Sequence, residues 1–353
     1  MRIAGIIAEY NPFHQGHIHH LEETIQLLHP DVLVVIVSEW FSQRGLPSLM
    51  TPTDKARMAL EHGANLVIGL PACYAAQSAD YFARYSLQAL KQAGVQTICF
   101  GSETGDLAFL KEALDKLETL EADPSLSQMR NVQTILPGIG PNDLLGIQYL
   151  NWCRKLSMDA VCIPRDQSKM SATKTRAEHF AGKRVYLDNL FVKNASWKAL
   201  YPLLRASLLM SSPAQLSEFL LCSEGIENRL IRAAAKYSSW DEFLENTQNK
   251  NYSRARIQRT CLFILLQLSR KAMKEHDDFH EVIVLGADEK GRGWLKSLSE
   301  KAEEEGRDSH IYSAQRQLPD WLFAMQQKPQ QLMEIITGLS LSAPALMTGI
   351  KRN

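Results

Sequence analysis

The sequence lacks any long apolar run. No stretch reaches the roughly 18 apolar residues that a membrane-spanning helix requires, so we expect no membrane partner. The apolar run at the start of the chain, in "MRIAGIIAEYNPF", is only about six residues long, and no small-residue cleavage pattern follows it. The sequence therefore predicts no signal peptide.

Closely spaced cysteine pairs are also missing. The six cysteines are Cys73, Cys99, Cys153, Cys162, Cys222 and Cys261. Because they lie far apart and form no CxxC pair, the sequence argues against a zinc cage and against a disulfide framework. We therefore expect a reduced protein in the cytoplasm.

An excess of charge of one sign is absent too. Thirty-nine basic residues balance thirty-nine acidic ones, so the total charge gives no general argument for a polyanion partner, and we expect no DNA partner. A basic face must instead be sought segment by segment. Apolar residues make up 45% of the chain and charged residues 22%, which is the composition of an ordinary folded protein.

The chain of 353 residues is long enough for two domains. Short β-branched runs alternate with amphipathic stretches in residues 1–180, and strands are predicted near residues 2–8, 31–38, 64–70, 95–101 and 159–164. This pattern predicts an α/β fold with a doubly wound parallel sheet of five strands, as in a nucleotide-binding domain. Residues 181–353 predict a mainly helical domain with a small α/β element around "EVIVLGAD".

A cluster of histidines follows the first predicted strand, in "NPFHQGHIHH" (residues 11–20). In a doubly wound sheet, the turn after the first strand leads into a helix whose first backbone N–H groups point into the ligand crevice. His14 and His17 can donate hydrogen bonds to phosphate oxygens there, and Gly16 permits close backbone approach. A metal site is less well supported, because Glu9 is the only close carboxylate and the spacing differs from that of HExxH.

Several motifs together resemble one family. The segment "GIIAEYNPFHQGH" resembles the HxGH motif of the nucleotidyltransferase superfamily. The chain is further similar to the tRNA(Met) cytidine acetate ligase family in "SEWFSQRGLP", "EHGANLVIGLP", "SADYFA", "FGSE", "PNDLLGIQYL", "SATKTR", "EGIENRL", "YSRARIQR" and "VLGADEKGR". This resemblance covers nearly the full chain. It implies an enzyme that activates acetate with ATP as acetyl-adenylate and passes the acetyl group to N4 of the wobble cytidine in elongator tRNA(Met).

The resemblance also implies a set of site residues. The loop and helix start from Ile7 to His20 would cradle ATP, with His14 and His17 as the catalytic pair on its phosphates. The implied ATP-binding residues are Ile7, Glu9, Asn11, His14, Gly16, His17, His20, Gly101, Asn142, Arg165, Ser171 and Arg176. Mg²⁺ would help to neutralise the triphosphate, without a metal site built from protein side chains.

Some of these residues have an equally plain structural explanation. Gly101 is also explained as the turn after the fourth strand, and Asn142 as the N-cap of a helix. Arg165 follows a strand end at the functional rim, which favours a phosphate or ribose contact. His19 and His20 are also explained as exposed residues in the first turn of a helix.

One helix start in the second half concentrates positive charge. The residues that the resemblance implies in tRNA binding are Tyr252, Arg254, Arg256 and Arg259. Arg256 and Arg259 share a helix face by their spacing, and arginine forks suit phosphate oxygens. A solvated helix start is the alternative. We expect Lys290 and Arg292 to extend the same basic face.

Five positions depart from the family pattern. Glu39 and Trp40 replace a Gly-Asn pair, Asn65 and Gly69 replace Asp and Glu, and Lys55 replaces an arginine. Because the first two are predicted at the tip of the second strand, near a possible acyl pocket, they put acetate specificity in question. Two alternatives therefore stay open: a nucleotidyltransferase for another small acid or phosphate, and a tRNA- or nucleotide-binding protein that has lost turnover.

Overall fold

The computed structural model describes residues 1–118, 138–165 and 171–341. All five strands predicted in the first half are present: β1 (Ile3–Ala8), β2 (Val32–Ser38), β3 (Leu66–Leu70), β4 (Thr97–Ser102) and β5 (Asp159–Pro164). The helices that the structure describes in this half are α1 (Gln15–Leu28), α2 (Pro52–Glu61), α3 (Ala72–Ala75), α4 (Ala79–Gln92), α5 (Leu107–Glu118), α6 (Pro141–Leu156) and α7 (Ala172–Phe180).

These five strands are parallel and lie in the order β5-β4-β1-β2-β3. Strand β2, with the sequence VLVVIVS, is buried along its whole length, as expected of a central parallel strand. The chain builds outward from β1 to β3 and then returns to place β4 on the other side of β1. This reversal is the topological switch point, where a crevice opens at the carboxyl edge of the sheet. The predicted α/β, doubly wound parallel fold is confirmed.

The sheet is wider than the sequence predicted. Strand β6 (Val282–Ala287) pairs antiparallel with β3, and β7 (Ile311–Tyr312) pairs parallel with β6, so the described residues form a sheet of seven strands. Asn65 links the two halves of the chain, because its Nδ2 donates to Asp288 (2.9 Å) while its Oδ1 accepts from the backbone N–H of Leu33 (2.9 Å). The apolar run of β6 predicted a strand but not its partner, and the domain boundary at residue 180 stays a prediction.

The second half adds a layer of helices. They are α8 (Trp197–Met210), α9 (Pro213–Ser217), α10 (Ile226–Lys236), α11 (Trp240–Thr247), α12 (Arg254–Leu265), α13 (Arg270–Glu275), α14 (Glu289–Glu304) and α15 (Asp320–Thr337). Trp197 attaches this layer to the first half, since its ring stacks on Trp240 with centroids 4.7 Å apart and its Nε1–H donates to the carbonyl of Gly45 (2.8 Å). None of the helices that the structure describes is long and apolar enough to cross a bilayer.

Two departures from the family pattern are neighbours in space. Glu39 directly follows β2 and lies beside Gly69 of β3, where an added Cβ would come within 2.5 Å of Oε1 of Glu39. The Glu39 side chain is buried, and its Oε1 accepts from Nε2 of Gln326 on α15 (2.6 Å). Burial raises the pKa of Glu39 to about 7, while the Gln326 hydrogen bond and Lys55 act in the opposite direction. Gly69 therefore makes room for a buried carboxyl group.

Lys55 of α2 fixes the backbone at the end of β2. Its Nζ donates to the carbonyls of Ser38 (2.6 Å) and Glu39 (2.9 Å), and the side chain is only 1% exposed. Burial lowers the pKa of Lys55 to about 7, and the nearby carboxylates of Glu9 and Glu39 oppose that shift. Two helices therefore fix the carboxyl end of β2: α2 through the hydrogen bonds of Lys55, and α15 through the hydrogen bond of Gln326 to Glu39.

We expect Gly69→Ala to destabilise the protein by about 1–3 kcal/mol, because the new methyl group overpacks the Glu39 carboxyl group. Gly293→Ala on α14 is the matched control, since no described residue has an atom within 4 Å of the added Cβ there. Alanine should stabilise that helix by up to about 1 kcal/mol. Urea unfolding measures both variants, and equal stabilities would contradict the close packing of Glu39 on Gly69.

Candidate active site

Two histidines begin helix α1 at the carboxyl end of β1. His14 is the N-cap residue, and its Nδ1 accepts from the backbone N–H of Gly16 (3.0 Å). Nδ1 of His17 accepts from the backbone N–H of His14 (3.2 Å), and the two rings stack with centroids 3.8 Å apart. A backbone N–H can only donate, so the single proton of each neutral ring lies on Nε2.

Both imidazoles are neutral in the free protein. Burial lowers the pKa of His14 to about 4, and the charge of Arg165 lowers it further. Burial also lowers the pKa of His17 well below its ordinary value of 6.5, with a further contribution from His14. At pH 7 the site therefore presents two Nε2–H donors.

The other two histidines of the cluster have different partners. The Nε2–H of His20 donates to the carbonyl of Cys99 on β4 (3.2 Å), which ties α1 to the neighbouring strand. Burial lowers the pKa of His20 to about 4. His19 lies on the helix surface, 3.9 Å from the carboxylate of Glu23. The interpretation as an exposed residue of the first turn therefore describes His19 better than His20.

Asn11 and Arg176 lie far apart in the sequence but are in contact in the structure. Oδ1 of Asn11 accepts from NH1 of Arg176 (2.6 Å) and from the backbone N–H of Leu49 (2.9 Å). The carbonyl of Pro47 accepts from Nδ2 of Asn11 (3.2 Å) and from NH1 of Arg176 (3.0 Å). Burial lowers the pKa of Arg176 to about 10, against the influence of Glu9, so the guanidinium stays charged at neutral pH.

The remaining predicted residues of the first loop and of α7 have local partners. Oε1 of Glu9 accepts from the backbone N–H of Gln43 (2.6 Å). Ser171 is the N-cap of α7, and its Oγ accepts from the backbone N–H of Lys174 (3.3 Å). Ile7 is half-buried in β1. Contacts of these residues with a nucleotide stay predictions.

Glu103 caps helix α6 from the loop that follows β4. Its Oε2 accepts from the backbone N–H of Asp143 (2.7 Å), and its Oε1 accepts from both the backbone N–H (3.2 Å) and the side-chain amide of Asn142. Gly140 is the N-cap residue, so the interpretation of Asn142 as the N-cap is wrong. Sequence reasoning missed Glu103, although its place in "FGSE", directly after a strand of the switch point, was the signal.

Arg165 joins this rim to the histidines. Its NH1 lies 3.8 Å from Oε1 of Glu103, and its charge lowers the pKa values of both His14 and His17. Gly101 of β4 leaves space for the Arg165 side chain, because an added Cβ would lie 3.2 Å from Cγ of that arginine. The loops that leave β1, β4 and β5 therefore converge on a single polar rim that can hold an anion.

The predicted tRNA-binding residues lie around the start of α12. The Tyr252 ring is buried, and its hydroxyl donates to the carbonyl of Glu224 (2.7 Å). Arg256 pairs with the Glu224 carboxylate (2.9 Å), and its guanidinium lies 5.1 Å from the centre of the Tyr252 ring. Arg254 is exposed. The helix start therefore offers positive charge to solvent but no aromatic face.

The expected extension of this basic face by Lys290 and Arg292 is wrong. NH1 of Arg259 donates to the carbonyl of Gln77, in the loop beyond the carboxyl end of β3 (2.7 Å). Lys290 and Arg292 instead begin α14 directly after Ala287, which pairs with the first residue of β3. Because β6 runs antiparallel to β3, the end of β6 lies beside the start of β3. Arg259 therefore lies near the carboxyl end of β3, whereas Lys290 and Arg292 lie near its amino end.

The sequence and the fold both match known proteins. The family model described as HIGH Nucleotidyl Transferase matches residues 1–337. A protein named tRNA(Met) cytidine acetate ligase from Limosilactobacillus reuteri is 30% identical and aligns over 85% of this chain and 88% of its own length. The protein of the same name from Listeria monocytogenes is 30% identical over 91% of this chain and 97% of its own.

Two solved structures of Thermotoga maritima TmcAL have the same fold. The form bound with alpha-thio ATP superposes with a TM-score of 0.84 over 97% of each chain, and the apo form with a TM-score of 0.83 over 99% of this chain and 100% of that chain. Both are 22% identical to this chain, so they bear on the fold alone. On the family model and the sequence relatives, this chain belongs to the HIGH nucleotidyl transferase family and to the tRNA(Met) cytidine acetate ligase family.

Proposed function

We propose that this chain is an ATP-dependent acetate ligase that forms acetyl-adenylate and transfers the acetyl group to the wobble cytidine of elongator tRNA(Met), giving N4-acetylcytidine. The observation that carries the proposal is the stacked, neutral pair His14 and His17 at the switch point of the sheet. The name shared by the curated relatives supports these substrates. An enzyme that uses ATP to modify tRNA works in the cytoplasm, and we place the chain there.

The first step needs positioned charge and no general base. An oxygen of acetate attacks the α-phosphorus of ATP, and pyrophosphate leaves. Acetate is already an anion at pH 7, so the protein has only to align the reactants and stabilise charge on the phosphate oxygens. The Nε2–H groups of His14 and His17 are the donors for this task, with Arg165 and Arg176 adding positive charge around them.

The neutral state of the two histidines suits this task for an electrostatic reason. Two imidazolium ions stacked at 3.8 Å would repel each other strongly in a desolvated site. Neutral rings pack at that distance, and each donates to the phosphate through Nε2–H while its Nδ1 keeps the backbone hydrogen bond. Burial keeps the free site neutral by lowering the pKa of both histidines, and the charge of Arg165 lowers these pKa values further.

Mg²⁺ would enter together with the triphosphate. The ion commonly keeps several waters and is held by substrate phosphates with one or two carboxylates. No group of three His, Cys, Asp or Glu side chains that could hold a metal occurs among the described residues. When bound, the ion would supply neutralisation of the charge on the departing pyrophosphate.

The second step joins the acetyl group to the base. The N4 amine of the cytidine attacks the acetyl carbonyl carbon, the bond to the AMP oxygen breaks, and N4 releases one proton to solvent. The cytosine must leave its stack to reach the crevice. We propose that Arg254 and Arg256 contact tRNA phosphates, while Tyr252 and Arg259 contribute by holding the start of α12 in place.

The unusual residues after β2 give no reason to prefer a different acid. Trp40 and Glu39 are 1% and 2% exposed, so both side chains are buried. Space for Glu39 is created by Gly69, and its contact is with Gln326 of α15. Acetate therefore remains the proposed acid.

The assay that tests the function uses purified protein, ATP with Mg²⁺, radiolabelled acetate and unmodified elongator tRNA(Met). We expect label in N4-acetylcytidine and stoichiometric release of AMP and pyrophosphate. A transcript with uridine at the wobble position is the control, since it lacks the attacking amine. Absence of label at every salt concentration, or pyrophosphate release that depends on a different acid, would reject the proposal.

We expect His17→Ala to slow acetate-dependent ATP–pyrophosphate exchange by about 10²- to 10³-fold, because the variant loses a donor to the phosphate oxygens. His19→Ala on the same helix is the control and should retain the wild-type rate, since its ring lies at the surface near Glu23. Circular dichroism checks that both variants are folded. Equal exchange rates in the two variants would contradict a role for His17 in binding the phosphates of ATP.

The histidines also predict how stability depends on pH. The pKa of His14 is 6.5 when the chain is unfolded and about 4 when it is folded, so the unfolded chain binds more protons between these values. The free energy of unfolding should therefore decrease as the pH falls from 6.5 towards 4. His14→Asn keeps an N-cap residue but does not titrate, so this variant should lose less stability over the same range. Urea unfolding at several pH values measures the difference; identical slopes would contradict a neutral His14.

A further inference from the structure

One exposed surface beside the candidate active site combines aromatic rings with positive charge. It comprises Lys174 and Phe180 of α7 and Lys183, Arg184 and Tyr186 in the turn that follows, and we call it the α7 surface. Phe180 and Tyr186 are each 49% exposed, which is unusual for large aromatic side chains, and the three cations are exposed as well. Proteins that bind single-stranded nucleic acid combine aromatic rings, which stack on bases, with positive charges, which contact the phosphates.

The charge of this region differs from that of the whole chain. Residues 174–193 contain five lysines and arginines and only two acidic residues, so the segment carries a charge of +3 in a chain whose total charge is zero. A neutral protein that concentrates positive charge next to its candidate crevice is complementary to a polyanion at that place. The phosphate backbone of tRNA is such a polyanion.

Arg176 connects the α7 surface to the crevice. Its guanidinium lies 5.5 Å from the centre of the Phe180 ring, and its NH1 donates to Asn11 in the loop that leads to the two histidines. One face of Phe180 is therefore close to the guanidinium, and the ring lies only one side chain away from that loop. A base that stacked on the exposed part of Phe180 would be held at the mouth of the crevice.

We propose that the α7 surface binds the single-stranded anticodon loop, with Phe180 stacking on the cytosine that receives the acetyl group. Tyr186 stacks on a neighbouring base, and Lys183 and Arg184 bind phosphates of the loop. This inference rests on the proposed function, because it takes tRNA as the partner. Sequence-specific recognition of RNA relies on such unstacked bases, which aromatic side chains hold through their faces.

The start of α12 cannot supply this interaction. The Tyr252 ring is buried, and its hydroxyl is committed to the Glu224 carbonyl. Arg256 pairs with the carboxylate of that same residue. These contacts leave α12 suited to hold phosphates, whereas the exposed rings of Phe180 and Tyr186 can hold bases. The two surfaces therefore have different tasks on one tRNA.

Phe180→Ala tests the stacking interaction. Loss of one stacked base, worth about 1–3 kcal/mol, should lower kcat/KM for tRNA by about 5- to 150-fold. Acetate-dependent ATP–pyrophosphate exchange without tRNA should stay at the wild-type rate, which shows that the fold and the first step are intact. Phe180→Tyr keeps a ring and should restore most of the activity. An unchanged kcat/KM in Phe180→Ala would overturn the proposal.

Lys183→Gln combined with Arg184→Gln tests the phosphate contacts. Filter binding of unmodified tRNA(Met) should be weaker, and the slope of log K against log salt should fall by about 1.4 for two phosphates of a single strand. The matched control is Lys296→Gln with Lys301→Gln, which removes the same charge from exposed positions on α14 and should bind like wild type. Equal weakening by both double variants, or by neither, would overturn the proposal.

Different outcomes reject the proposed function and the α7 surface. A wild-type protein that transfers no acetyl group to tRNA would reject the proposed function, whatever the variants do. A wild-type protein that acetylates tRNA, together with α7 variants that behave identically to it, would leave the function in place and reject the α7 surface. Equal binding of a double-stranded RNA of the same length would also reject it, because a duplex offers no unstacked base.

Discussion

The candidate site depends on two hydrogen bonds from backbone N–H groups to imidazole nitrogens. Gly16 donates to His14, and His14 donates to His17, so both Nδ1 atoms are occupied and both protons lie on Nε2. The bonds exist only because His14 ends the extended segment after β1 and begins α1 as its N-cap. The first backbone N–H groups of any helix need hydrogen-bond acceptors outside the helix ladder. Here the histidine rings are these acceptors, and the same bonds fix the tautomer and the spacing of the two donors.

The surrounding fold keeps these donors in a neutral, desolvated place. Strands β1 and β4 are neighbours at the switch point, and His20 ties α1 back to β4. Burial, with a further contribution from the charge of Arg165 at the end of β5, lowers the pKa of both rings. Arg176 donates a hydrogen bond to Asn11 in the loop that precedes the histidines, and its guanidinium also lies near the exposed ring of Phe180. A single run of contacts thus leads from the candidate phosphate site to the surface proposed for the anticodon loop.

Local patterns in the sequence predicted the parts of the structure that local interactions decide. The five parallel strands and the position of His14 and His17 at the start of a helix after β1 follow from β-branched runs that alternate with amphipathic stretches. Partners far apart in the chain could not be predicted: the pairing of β6 with β3, the fit of Glu39 against Gly69, and the capping of α6 by Glu103. The sequence shows whether a residue is apolar or charged, but only the folded structure shows which residues it contacts. Tyr252 is an example, since it was expected to bind tRNA but is buried.

The central claim is that the Nε2–H groups of His14 and His17 bind the phosphates of ATP. A crystal structure of this chain with a non-hydrolysable ATP analogue and Mg²⁺ tests it most directly. The account predicts phosphate oxygens within hydrogen-bond distance of both Nε2 atoms, with each Nδ1 still bonded to its backbone N–H. An analogue bound elsewhere, or rings turned so that Nδ1 faces the phosphates, would contradict it.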